Sequence, residues 1–138
     1  MELQIRPAEE NEIAELLQYD RHIAVEKLID CIRAGNVYAI CLENKMIGVL
    51  RYSYFWQSIP FLDLLFLAPD CREKGYGRHA VAYWEKQMRR RGYRDIMTST
   101  QADETAQFFY EKLGYTRAGA FFPPEQEAEE IIFKKPLL

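Results

Sequence analysis

The chain has few of the residues on which a stapled or metal-held fold depends. Three cysteines, Cys31, Cys41 and Cys71, form an odd set with no C-x-x-C pair, and only two histidines occur among 138 residues. Neither a disulfide framework nor a zinc site is readable, and no metal is expected. A basic excess is missing too. Lys and Arg number 18 against 21 Asp and Glu, a net charge of −3, whereas a domain that binds phosphate backbones carries a clear positive surplus. Nucleic acid is therefore not an expected partner. Every apolar run is too short to span a bilayer, and Met1-Glu2-Leu3-Gln4-Ile5-Arg6 lacks the basic-then-apolar pattern of a signal segment. The expectation is a cytoplasmic protein without a membrane partner.

What is present suits a packed interior. Apolar residues make up 49% of the chain and aromatic residues 14%, enough for a core without staples, and the length fits one domain over residues 1–138. Glu2 to Arg6 reads as a short strand closed by Pro7. Helical spacing follows from Ala8 to about Leu17 and from Arg21 to Ala34, where Gly35-Asn36 stops it. Val37 to Leu42 and Ile47 to Phe55 read as a hairpin across Glu43-Asn44-Lys45, and Phe61 to Leu67 as a further strand. A helix from about Gly75 to Arg91 carries Ala80, Val81, Trp84 and Met88 on one stripe. Asp95 to Ser99 is a strand, Asp103 to Leu113 a helix, and Thr116 to Phe121 and Glu130 to Lys134 two more strands. The order β-α-α-β-β-β-α-β-α-β-β predicts a mixed α/β domain, antiparallel in its first half, with a parallel pair around the turn before the long helix.

That turn is the most informative stretch. Arg72-Glu73-Lys74-Gly75-Tyr76-Gly77-Arg78 follows an apolar strand and opens the long helix. Two glycines one residue apart permit a tight turn with inward-pointing amides, and the helix start adds partial positive charge. Arg72, Lys74 and Arg78 add full charges. The spacing is neither that of a nucleoside-triphosphate loop nor that of a dinucleotide fold, so a different phosphate ligand is implied. A plain glycine-rich strand-to-helix turn is the alternative.

Two segments together resemble the GNAT superfamily of acyl-CoA N-acyltransferases. One is Phe61-Leu62-Asp63-Leu64-Leu65-Phe66-Leu67-Ala68-Pro69 with Arg72-x-x-Gly75-x-Gly77. The other is Ala106-x-x-Phe109-Tyr110-Glu111-Lys112-Leu113-Gly114-Tyr115. The resemblance implies that the phosphate ligand is the pyrophosphate of acetyl-CoA, cradled by amides from about Arg72 to Arg78. It also implies that the pantetheine arm pairs with the strand at Phe66 and Leu67, and that the Leu67 amide polarises the thioester carbonyl. Asp63 matches the position that often carries a carboxylate base, and Tyr110 matches the general acid that protonates the departing thiolate. On the residues alone, Asp63 also reads as the polar face of a half-buried strand, and Tyr110 as a core aromatic beside Phe108 and Phe109. Many relatives carry a cofactor-contacting asparagine seven residues before the tyrosine; Asp103 stands there in this chain and reads as a helix N-cap.

The implied activity is transfer of an acetyl group to a primary amine of a small molecule, by direct attack in a ternary complex. Tyr52, Tyr54 and Trp56 alternate on one strand and are expected to line an amine pocket by cation-π contact, or else to be core. His22, Phe121 and Phe122 are further candidates. Arg89, Arg90 and Arg91 read as a solvated last helical turn, Glu125 to Glu130 as a solvated loop, and Cys71 as incidental. Acetylation of a protein N-terminus or lysine is a second reading, and a coenzyme A-binding regulatory module without turnover a third. A homodimer is left open as the assembly.

Overall fold

Apolar runs broken by glycine, proline and polar turns set seven strands and four helices in the computed structural model, which describes residues 2–137. Met1, which opens the stretch read above for a signal pattern, and Leu138, the last residue of the expected domain, lie outside the described residues. The elements are β1 (Leu3–Pro7), α1 (Ile13–Tyr19), α2 (Val25–Arg33), β2 (Val37–Leu42), β3 (Lys45–Phe55), β4 (Ile59–Leu67), α3 (Tyr76–Arg90), β5 (Asp95–Gln101), α4 (Ala106–Lys112), β6 (Thr116–Phe121) and β7 (Glu130–Pro136). Short 3-10 turns at Glu10–Glu12 and Pro69–Cys71 precede α1 and follow β4. The element order is the expected one, and the fold is mixed α/β.

The strands form a seven-stranded sheet in the order β1-β2-β3-β4-β5-β7-β6. The β1–β2, β2–β3, β5–β7 and β6–β7 ladders are antiparallel, and β4 and β5 run parallel, with Phe61 opposite Met97 and Leu62 opposite Thr98. The parallel pair β4–β5 therefore brackets α3, as a β-α-β crossover requires.

Three helix starts differ from expectation. The first helical stretch opens as a 3-10 turn, because Glu9 and Glu12 close a reciprocal capping box there, and α1 proper starts at Ile13. The second starts at Val25, since Ala24 is extended at φ −68° and ψ 146°. The last helix starts at Ala106 with Thr105 at its N-cap. Asp103 is not the cap: it sits in a turn that the Glu104 amide closes on the Gln101 carbonyl at 3.1 Å.

The chain divides into two compact units. The first comprises the residues up to Ser53 with Asp63–Trp84, and the second Tyr54–Leu62 with the residues from Glu85 onward. In the first, Leu28 and Ile32 from α2 and Leu16 from α1 bury against Val37, Ala39 and Val49. Ala80, Val81 and Trp84 of α3 are fully buried, and the Trp84 ring lies 5.8 Å from Tyr52. In the second, Met88, Ile96, Ile131 and Phe133 form the interior.

Candidate active site

In the first unit, β4 delivers the chain into the glycine-rich turn. Arg72 folds back on the strand it follows: its Nε donates to the Leu67 carbonyl at 2.9 Å, and its guanidinium lies 4.9 Å from the centre of the Phe66 ring. One of five donors is thereby spent in shaping the turn. Glu73 and Gly75 are both left-handed, with φ of 61° and 86°. Glycine reaches that conformation freely, whereas Glu73 holds it at a cost on the order of 1 kcal/mol. The Arg78 guanidinium lies over Gly75, 3.6 Å from where a Cβ would stand.

Helix α3 starts at Tyr76, and the His79 amide makes the first bond back, to the Gly75 carbonyl at 3.1 Å. The amides of Tyr76, Gly77 and Arg78 thus belong to the first turn, where no intrahelical acceptor exists. Left-handed backbone, free amides and the cations Lys74 and Arg78 suit an anion of pyrophosphate size. Lys74, Tyr76 and His79 also line an open cavity of about 630 Å³ with Gln4 and Tyr83.

Phe66 and Leu67 are held at short range by a residue that sequence reasoning missed. Gly48 of β3 lies so close to β4 that a Cβ there would stand 2.3 Å from the Phe66 carbonyl oxygen and 2.8 Å from Leu67 Cδ2. A glycine inside a strand signals such an approach. Phe66 also lines an open cavity of about 560 Å³ with Gln18, Tyr19, Arg21 and Pro69, and its ring is tilted against Tyr19 at 6.2 Å.

Asp63 does not stand alone on its strand. Arg51 of β3 reaches it at 3.6 Å and holds Asp20, a fully buried carboxylate at the end of α1, at 2.6 Å through Nε and 3.4 Å through an NH2 group. Burial pushes the Asp63 carboxyl above its ordinary value, with Asp20 adding in the same direction, while the Ser53 hydroxyl and Arg51 pull against it. Two carboxylates on one guanidinium leave this cluster with one net negative charge when all are ionised. Neither Asp20 nor Arg51 was singled out in the sequence, although a lone arginine in the apolar run of β3 is a signal.

Of the aromatic stripe, Tyr52 is fully buried among Tyr38 and Trp84 and donates to the Gly35 carbonyl at 3.3 Å. Tyr54 packs against Tyr93 at 5.7 Å. Trp56 is not on the strand: β3 ends at Phe55, and Trp56 and Gln57 turn with φ of 54° and 59°, leaving Trp56 79% exposed. The expected shared face thus stops before Trp56. His22, Phe121 and Phe122 are exposed. The Cys71 thiol is raised by burial and by Asp70, the reverse of what activates a nucleophile.

In the second unit, α4 buries Tyr110, edge-on to both Phe109 and Tyr115 at 5.0 and 5.4 Å. Nearby, the Thr98 hydroxyl of β5 donates to the Leu62 carbonyl at 2.9 Å. Burial raises the phenol well beyond the ordinary tyrosine range, and the Thr98 hydroxyl opposes that rise. Tyr110 is thus protonated at any physiological pH. Phe108 by contrast is exposed. Beside Tyr110, Tyr115 donates to Glu85 at 2.8 Å, and Lys135 reaches the same carboxylate at 3.0 Å. Among the described residues no group of His, Cys, Asp and Glu is placed to hold a metal ion, and no helix is long and apolar enough to cross a membrane.

A glycine-rich turn that opens α3 in the crossover between the parallel strands β4 and β5 has the backbone form that suits an anion. The chain belongs to the GNAT acetyltransferase family, which its residues 3–115 match. Solved structures carry the likeness through the whole chain. A GNAT-family acetyltransferase from Bacillus cereus ATCC 10987 is 20% identical at a TM-score of 0.83, covering 100% of this chain and 99% of its own. The ribosomal-protein-S18-alanine N-acetyltransferase of Escherichia coli is 16% identical at 0.79, covering 99% and 94%. N-acetylglutamate synthase from Neisseria gonorrhoeae, solved with coenzyme A and N-acetyl-glutamate, is 18% identical at 0.82, covering 100% of this chain and 36% of its own. A search of curated proteins by sequence finds no match.

Proposed function

We propose that the chain is one N-acetyltransferase domain that moves an acetyl group from acetyl-CoA to a primary amine of a small molecule. The observation that carries this reading is the turn at Glu73–Arg78, whose left-handed Gly75 and helix-start amides, coming soon after the strand that ends at Leu67, would cradle an anion. Arg72 to Arg78 would hold the pyrophosphate, and the β4 backbone at Phe66 and Leu67 would align the pantetheine arm. Bound acetyl-CoA supplies an activated acetyl thioester. The Leu67 amide donates to its carbonyl oxygen as negative charge develops there.

Asp63 takes the proton that the amine must lose, since an alkyl ammonium with a pKa of about 10 arrives charged. The net negative charge of the Asp20–Arg51–Asp63 cluster favours such a cation. Tyr110 gives its proton to the departing sulfur. The cavity of about 560 Å³ that Phe66 lines has the size of a small-molecule site. The test is a panel of primary amines with acetyl-CoA, reading free thiol release against acetylated product. Amine-dependent release supports the reading, and thioester hydrolysis alone opposes it.

A protein acceptor is the second reading, favoured by the likeness to the Escherichia coli S18-alanine enzyme. It predicts turnover of peptides with a free N-terminus or lysine where single amines give none.

A further inference from the structure

At the end of α1, Asp20 places a carboxylate where it is disfavoured twice. It is fully buried, and its amide donates to the Leu16 carbonyl at 2.8 Å, which fixes its backbone to the helix C-terminus. That end of a helix carries partial negative charge, and burial strips the carboxylate of water. Arg51 of β3 offsets both. Its Nε lies 2.6 Å from one Asp20 oxygen and its Nη2 3.4 Å from the other.

The third corner of the same guanidinium, Nη1, stands 3.6 Å from an Asp63 oxygen. That is an ion-pair distance, longer than a hydrogen bond. Arg51 therefore gives its paired donors to Asp20 and only its charge to Asp63. A guanidinium facing a single carboxylate pairs with it through two donors and occupies its lone pairs. Asp63, with 27% of its side chain exposed, is left with lone pairs that the guanidinium does not fill. It stands on the same strand as Phe66 and Leu67, and all these residues lie in the first compact unit. Arg51, Asp20 and the uncharged Ser53 hydroxyl act on Asp63 from β3 and α1. From α2, the Cys31 thiol faces the cluster in neutral form, raised chiefly by burial.

We infer that Asp20 is a positioning residue for Asp63: by taking the paired donors of Arg51 it keeps the guanidinium from clamping Asp63, which stays free to accept the proton of the amine. In that step an N–H bond of the ammonium breaks and an Asp63 oxygen gains the proton. The nitrogen keeps the electron pair with which it attacks the thioester. The inference rests on the proposed role of Asp63 as base.

The test combines carbon-13 NMR of the unliganded protein with kinetics. The Asp63 Cγ signal, identified by its loss in Asp63→Asn, is followed through pH. In Asp20→Asn, Arg51 is released onto Asp63, whose titration should fall by about one pH unit or more. The acid limb of the kcat profile should move down with it and the plateau should drop as the base weakens, while KM for acetyl-CoA stays within about twofold. Asp20→Asn/Arg51→Gln removes both charges and should bring the titration back to within about half a pH unit of the parent. Should Asp20→Asn fail to fold, this double variant carries the comparison, since it leaves neither Asp20 nor Arg51 as an unpaired charge. An unmoved Asp63 signal in Asp20→Asn, or a rise of about one pH unit or more in the double variant, overturns the inference while leaving the base role intact. Full activity of Asp63→Asn overturns both.

Discussion

Asp63 shows how burial, together with a carboxylate distant in sequence, sets the chemistry of one carboxyl. In the unfolded chain it titrates near its ordinary value of about 3.8, and in the folded protein burial and Asp20 raise it. Between those two values the folded state binds more protons than the unfolded one. Stability is therefore highest below the unfolded value and falls as pH rises through the folded one. Asp63→Asn removes that penalty and leaves Arg51 bound to Asp20. The variant should melt at a higher temperature than the parent at neutral pH, with the difference closing near pH 4 or below, while its turnover falls if Asp63 is the base. Melting curves across pH check the first and steady-state rates the second. Arg51 behaves in the opposite way. Arg51→Met leaves the fully buried Asp20 without a partner and should destabilise the fold by about 3 kcal/mol or more in urea titration. Tyr110→Phe keeps the ring packing against Phe109 and Tyr115 and removes only the hydroxyl, so it should lower kcat on the order of a hundredfold with little change in melting temperature.

Element by element, the sequence marked what depends on local chemistry. The spans of β2 and β6 coincide with the expected ones, β2 as a buried apolar run and β6, though exposed throughout, between the turns that flank it. The α3 stripe of Ala80, Val81, Trp84 and Met88 is wholly buried, as its spacing requires. Helix starts were less legible, since they turn on details such as the Glu9–Glu12 box and the extended Ala24. Of the proposed site, the motif residues Arg72 to Arg78 and Tyr110 could be read from the sequence. The rest was hidden where it depends on pairing across the sheet: Asp20 to Arg51, Gly48 against Phe66. Trp56 misled because alternation says nothing of where a strand turns. The β3–β4 approach makes its own prediction. Gly48→Ala forces a Cβ against the Phe66 carbonyl, so β4 must shift. About 1–3 kcal/mol of stability should be lost, and acetyl-CoA should bind more weakly because Phe66 and Leu67 move, as paired melting and calorimetric measurements would show.

For the molecule as a whole, family membership and a fold shared along the full chain are what the proposed roles of the turn, of the β4 backbone and of Tyr110 rest on. The central claim is that the turn holds the pyrophosphate of acetyl-CoA. That claim is independent of which amine is the acceptor and of whether Asp63 or water takes the proton. Calorimetric titration of acetyl-CoA into the purified protein tests it directly, beside Gly77→Asp, whose carboxylate enters the first turn of α3 among the amides proposed to face the phosphates. The account predicts one-to-one micromolar binding by the parent and its loss in a Gly77→Asp protein that remains folded by circular dichroism. A folded parent that takes up no acetyl-CoA, or a variant that binds as the parent does, would contradict it.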